Sequence, residues 1–229
     1  MERRVRRMNL KKLVTAAVCT MLMAAVAFTA GCGGEKKSDK KVLKVGMECA
    51  YAPYNWSQTK ADGGAVKIAG SNEYAYGYDV MMAKKLADSM GADLEIHKIE
   101  WDGLAPAVVS GKIDAAIAGM SITSKRKETV DFTKPYYYAT VVALVKKDSE
   151  QAKAQSVADL KGSVATSQLN TIWYDQIDQV PDVKKLPAID TVPGMIVALT
   201  SGKCNLIVTD IPTAKAAAFA NPELTVLNF

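Results

Sequence analysis

The chain has 229 residues, with 29 Lys and Arg against 24 Asp and Glu, a single histidine, and a formal charge of +5. Six of the basic residues and one of the acidic ones fall in the first 31 positions, so the body that follows holds 23 of each and is formally neutral. A neutral body without a Lys/Arg stripe argues against nucleic-acid binding. One histidine and no CxxC pair argue against a transition-metal centre. The length after residue 31 allows one large domain or two small ones with adequate cores.

In chain order, Arg3, Arg4, Arg6, Arg7, Lys11 and Lys12 precede an apolar run, Leu13 to Ala30, that ends in small residues before Cys32. A basic head and an apolar middle read as a secretory signal, with an uncleaved membrane anchor as the alternative; both place the body outside the cytoplasmic membrane. Gly33 to Lys41, glycine and charge without apolar content, reads as a flexible tether. Val42 to Gly46 predicts a first strand, followed by a loop carrying Glu48, Cys49, Tyr51 and Tyr54. Ser57 to Tyr76 is polar and broken by Gly63-Gly64 and Ser71-Asn72, which predicts irregular structure. Gly77 opens an amphipathic helix with Val80, Ala83, Leu86, Ala87 and Met90 on one side, Asp79 as a capping residue and Gly91 as its stop. Leu94 to Ile99 reads as a strand with His97 on its surface, Trp101 as a buried aromatic, and Leu104 to Ser110 as a short helix ended by Gly111.

Ile113 to Ala118 is too short for a buried helix and ends on Gly119, which favours a parallel strand. Thr123 is placed to cap a turn carrying Ser124, Lys125 and Arg126, where backbone N–H groups and a guanidinium would converge on an anion. After Asp131 to Pro135, held extended before the proline, the apolar run Tyr136 to Val145 leads into a second lobe. There, strands are expected at Ser163 to Ser167, Leu206 to Thr209 and Leu224 to Phe229. Ala107 to Asp114 is echoed by Ala198 to Asn205, each a helix end, a Ser-Gly-Lys turn and the start of a strand. The two strands run out at Gly119-Met120 and Thr209-Asp210, ends that would suit ligand capture between two lobes. Cys49 and Cys204 read as two unpaired small hydrophobes or as one disulfide.

The stretch GKIDAAIAGMSITSKRKETVDFTKPYY, Gly111 to Tyr137, resembles the signature of the solute-binding proteins of polar amino-acid ABC importers. The likeness continues in order through Glu100-Trp101-Asp102-Gly103-Leu104, Asp159-Leu160-Lys161-Gly162 and Asp210. It implies an α/β, two-lobed, periplasmic-binding-protein-like fold of type II. Residues 1–31 would be a lipoprotein signal peptide, 32–41 a tether, 42–140 the first lobe and 141–229 the second. Family members continue with a strand and helices that complete the first lobe, so the C-terminal part of that lobe is expected to be missing here.

Phe28 to Cys32 is similar to a lipobox, which implies a diacylglycerol on Cys32 and attachment to the extracytoplasmic face of the cell membrane. Ser57 to Tyr76, longer and more polar than the corresponding family segment, would cover a rim of the cleft; by the resemblance, Glu48 would face the ligand side chain, and Tyr51 and Trp101 would pack on it. Gly119, Ser121, Thr123 and Arg126 would hold a carboxylate, with Asn170 standing where relatives carry glycine and Thr171 beside it; Asp210 would take the ammonium. The implied function is capture of a free polar amino acid and delivery to an ABC permease, by a monomer with no cofactor, metal or catalytic residue. The alternative is a secreted enzyme of the cyclohexadienyl dehydratase kind on the same fold, with Glu48 as its acid or base.

Overall fold

The computed structural model describes residues 40–229 as one compact unit. The secretory signal, the lipobox and Cys32 lie outside the described residues. Strand β1 (Val42–Met47) pairs in parallel with β6 (Asp93–Lys98) along its whole length and with β7 (Ala115–Ala116) at its end, giving the order β6-β1-β7. β7 is shorter than the apolar run that predicts it. Its partner contacts stop at Gly46↔Ala116, and the chain turns toward the cleft through Gly119.

Helix α1 (Tyr78–Met90) enters β6 through Gly91, whose left-handed backbone (φ 62°) lets its N–H cap Ala87 and Asp88. The buried stripe is Val80, Ala83 and Ala87; Leu86 and Met90, expected on the same side, are 39% and 56% exposed. Positions 80, 83 and 87 are one face of a 3.6-residue repeat, from whose centre 86 is turned by about a quarter of a circle, while Met90 sits at the end of the last turn. Helix α2 (Leu104–Val109) joins β6 to β7.

The stretch 57–76 is irregular at Gly63-Gly64 and Ser71-Asn72, as expected, but short strands run between those breaks. β2 (Ala50–Tyr51), β3 (Asn55–Gln58), β4 (Val66–Lys67) and β5 (Tyr74–Tyr76) form an antiparallel sheet in the order β2-β3-β5-β4. Ile68 bridges Ile96 of β6 and is buried with Ala75 in the core of the first half, so this sheet braces the three-stranded one.

Residues 141–227 build the other sheet. β8 is Val141–Lys146, β9 Val164–Thr166, β10 Lys184–Lys185, β11 Leu206–Asp210 and β12 Leu224–Leu227, in the order β10-β9-β11-β8-β12. β9 runs parallel to its neighbours β10 and β11, while β8 is antiparallel to β11 and β12. Side chains alternate across a strand, and here both faces are covered. In β8, Val142 and Leu144 enter one apolar cluster while Ala143 and Val145 enter the opposite one; Ile207 of β11 joins the first, Leu206 and Val208 the second. Helices α4 (Ile172–Gln176), α5 (Val192–Thr200) and α6 (Ile211–Ala220) supply the covering residues Trp173, Leu199 and Ala214. Cys49 and Cys204 are both free and buried.

The internal echo is a structural repeat. Lys112 N–H bonds Ala107 O at 3.0 Å, and Lys203 N–H bonds Ala198 O at 2.9 Å. Gly111 and Gly202 both take left-handed backbone, at φ 72° and 77°. Asp114 and Asn205 then clasp the neighbouring strand alike. Asp114 N–H reaches Lys44 O at 2.9 Å while its side chain accepts from Lys44 N–H at 2.8 Å; Asn205 does the same to Val164 at 2.9 and 2.8 Å. Thus β6-β1-β7 matches β10-β9-β11, and each half presents the ends of its parallel strands.

Candidate functional site

Those strand ends meet at a narrow cleft lined by Tyr51, Trp101, Gly119, Ser121, Arg126, Gln168, Thr171 and Trp173. Its free volume is about 10 Å³, room for roughly one water, and Tyr51, Gly119, Ser121 and Trp173 also line a wider cavity of about 500 Å³ beside it.

Arg126 is set by a local device. Thr123 has extended backbone, and its hydroxyl accepts from Arg126 N–H at 3.1 Å, capping the single turn α3 (Ser124–Lys127) as the sequence predicts. The guanidinium lies 5.3 Å from the centre of the Trp101 ring and donates to two backbone carbonyls, Ser121 O at 2.6 Å and Asn170 O at 2.8 Å. Among the described residues it has no carboxylate partner within ion-pair distance. Burial pushes its pKa down, yet a guanidinium stays charged. A half-buried cation held by carbonyl dipoles and an aromatic face, without a carboxylate, is a site for an anion.

Glu48 lies behind this wall, 3% exposed. Its Oε2 accepts from Gln168 Nε2 at 3.0 Å, and Oε1 has no hydrogen-bond partner among the described residues. Burial, opposed by the Gln168 bond and helped by the charge of Glu100, raises its pKa to about 7. The carboxyl therefore titrates near neutrality and has one oxygen to spare.

Asp210 is wholly buried and does not line the cleft. Its Oδ1 accepts from Thr213 N–H at 3.0 Å, capping α6, and from the Tyr54 hydroxyl at 3.3 Å; Oδ2 accepts from the Tyr51 hydroxyl. Tyr51 and Tyr54 stack with centroids 4.8 Å apart. Among the described residues Tyr51 lines the cleft and touches Asp210, and Tyr54, which lines the wider cavity with it, touches Asp210 as well, so an ammonium reaching this carboxylate must displace a phenol. Both phenols are pushed well above their usual pKa, by burial first and the Asp210 charge second.

Of the residues singled out in the sequence, Tyr51, Trp101, Gly119, Ser121, Arg126 and Thr171 line the cleft. Thr123 supports Arg126 from behind. Asn170 stands at the rim with φ 54°, the left-handed backbone that a glycine-like position needs, and its side chain donates to Asp102 at 2.9 Å. The segment 57–76 contributes nothing to the lining.

Asp79 is not a cap. Gly77 holds the N-cap position of α1 without a side-chain bond, and Asp79, wholly buried, accepts instead from Asn55 Nδ2 and the Tyr136 hydroxyl, each at 2.7 Å. Gln168 and Trp173 are lining residues that sequence reasoning passes over. Gln168 was findable by extending the repeat: Lys44 and Val164 are equivalent, and four residues on from each come Glu48 and Gln168.

A family model described as bacterial extracellular solute-binding proteins, family 3, matches residues 43–186. A Campylobacter jejuni protein named "Probable histidine-binding protein" is 31% identical over 182 residues, which cover 80% of this chain and 65% of that protein. Among solved structures, an amino acid ABC transporter substrate-binding protein from Streptococcus pneumoniae bound to L-arginine superposes with a TM-score of 0.70 at 29% identity, covering 82% of this chain and 76% of that one. An ancestral amino acid-binding protein described as a precursor of cyclohexadienyl dehydratase gives 0.68 at 32% identity, covering 82% and 77%.

Proposed function

Because the chain belongs to the bacterial extracellular solute-binding proteins of family 3, we propose that it captures a free polar amino acid outside the cytoplasmic membrane and hands it to an ABC importer permease. The observation that carries this reading is Arg126, a half-buried cation with two carbonyls and, among the described residues, no counter-ion, at the mouth of a cleft between two α/β halves. In this reading residues 42–140 and 141–229 are the two lobes. The ligand carboxylate replaces the carbonyls on Arg126 and is met by Ser121, Gly119 and the Asn170-Thr171 backbone. Its ammonium displaces the Tyr51 hydroxyl from Asp210. Trp101 and Tyr51 flank the side chain.

The unpartnered oxygen of Glu48 favours a ligand whose side chain is cationic, since a buried carboxyl with a spare acceptor is best satisfied by a charged donor. Family membership and the amino-terminal sequence support a monomer anchored through lipid on Cys32 at the extracytoplasmic face.

Surface ion pairs are worth only about 0–1 kcal/mol. Drawing the lobes together over the ligand removes water and strengthens both ends of the grip, so ligand shifts the population toward the form the permease recognises. A thermal-shift screen of the twenty amino acids, followed by calorimetry, tests this. At least one basic amino acid should raise the melting temperature of the wild type, and Arg126→Ala should weaken its binding by more than a hundredfold while the fold persists. Undiminished affinity in Arg126→Ala removes the reading.

A second reading has one observation behind it: Glu48, with a pKa near 7, is matched to acid–base chemistry. Turnover of arogenate or prephenate would decide for an enzyme.

A further inference from the structure

Asp79 and Tyr136 touch neither Arg126 nor Asp210, yet they end on the loop that forms one wall of the cleft. The Tyr136 hydroxyl donates its single hydrogen to Asp79 Oδ1 at 2.7 Å and accepts from Gly119 N–H at 3.0 Å. A carboxylate can only accept, so it fixes which way the phenol proton points and leaves the phenol lone pair to the amide. On its other side Asp79 is held by Asn55 Nδ2 at 2.7 Å, and Asn55 Oδ1 in turn takes the N–H of Cys49, next to Glu48, at 2.7 Å. Tyr78 packs on the Tyr136 ring at 6.0 Å and donates to its carbonyl at 3.2 Å.

The amide at the end of this relay has little freedom. Gly119 sits at φ 61°, and a Cβ there would lie 2.8 Å from the Tyr51 ring. Two residues later the Ser121 carbonyl receives the Arg126 guanidinium at 2.6 Å. The direction of the Gly119 peptide therefore governs both where Tyr51 rests and where the loop meets Arg126.

We infer that Asp79, acting through Tyr136, is the positioning residue of the Gly119–Ser121 loop and so sets how tightly the Arg126 wall of the cleft holds an amino acid. This rests on the binding function proposed above. Tyr136→Phe deletes the hydroxyl and keeps the ring against Tyr78. In that variant the Gly119 amide, followed by NMR hydrogen exchange, should lose protection about tenfold while the amides of β11 keep theirs. Affinity for L-arginine, or for the best ligand of the wild-type screen, should fall roughly five- to tenfold, the scale of one lost buried hydrogen bond. Asp79→Asn, the same shape without the charge, should move both readouts the same way.

If Asp79→Asn fails to fold, Tyr136→Phe decides alone. Wild-type affinity in Tyr136→Phe overturns the inference, and so does a loss of protection spread through the β11 core, which marks a merely structural role. Failure of the wild type to bind any of the twenty amino acids counts instead against the proposed function.

Discussion

Arg126 and Glu48 are two charged groups buried with fewer partners than burial normally requires. For Glu48 this has a sign that can be checked. Its folded pKa, about 7, lies above its ordinary 4.5, so the native protein holds a proton that the unfolded chain gives up between those values. Its contribution to stability is fully present below about 4.5 and is lost as pH rises through 7, by up to about 3 kcal/mol. Asp79, raised by burial from 3.8 to about 6, acts in the same direction over its own window. Glu48→Gln should flatten the stability profile between pH 5 and 8 in chemical denaturation; an unchanged slope would show that the carboxyl titrates normally. A cationic ligand reverses the preference by favouring the ionised acid, so L-arginine should bind more tightly as pH rises through 7, and Glu48→Gln should erase that dependence in calorimetry.

Local chemistry explains which residues were legible. Thr123 and Gly91 act within four residues of themselves, and both are read correctly from sequence. Asp79 near a helix start looks like a cap by the same local logic, but its partner Tyr136 is 57 positions away and nothing short-range announces it.

Elements were legible where their period was. β8 and β11 are continuous apolar runs because both faces of their sheet are covered, and their alternation assigns each residue to a cluster. Leu144, 1% exposed at the centre of β8, should cost about 2–5 kcal/mol when truncated in Leu144→Ala, read from the denaturant midpoint. A loss under 1 kcal/mol would mean that the cluster holding Leu144 is not tightly packed. The four strands of the small antiparallel sheet escaped notice because they are two to four residues long, too short to show alternation. Asp210 belongs to two elements at once, closing β11 and capping α6. Asp210→Asn keeps a good capping residue, so melting should shift little while amino-acid binding drops by more than tenfold; equal losses in both would assign the residue to the helix alone.

Over the whole molecule, the two-lobed α/β class and the echo between Ala107–Asp114 and Ala198–Asn205 were legible, because the Ser-Gly-Lys turn repeats in type as well as in structure. The cleft itself was legible only in part. Residues such as Gln168 and Trp173 reach it through the relative placement of the halves, which no single stretch encodes. With about 10 Å³ in the pocket that Arg126 lines, the walls there must move to admit a ligand. Small-angle scattering should therefore show a smaller radius of gyration when the best ligand of the screen is added at saturation. An identical radius with and without bound ligand would rule out a hinged grip.

The Glu48 carboxyl and the Gln168 amide meet across the two halves. These two side chains hold matching places in the two copies of the repeat and touch each other at 3.0 Å. Were both acids, they would compete for one shared proton; the amide in the later copy lets the acid in the earlier one face it. Gly119 and Asp210, each five residues beyond its clasping Asp114 or Asn205, differ in the same manner, with the acid now in the later copy. Duplication alone would yield a vise with identical jaws, suited to a guest that looks the same from either side. Trading one carboxyl across each matched pair gives the vise a polarity, which is what a guest with unlike ends demands.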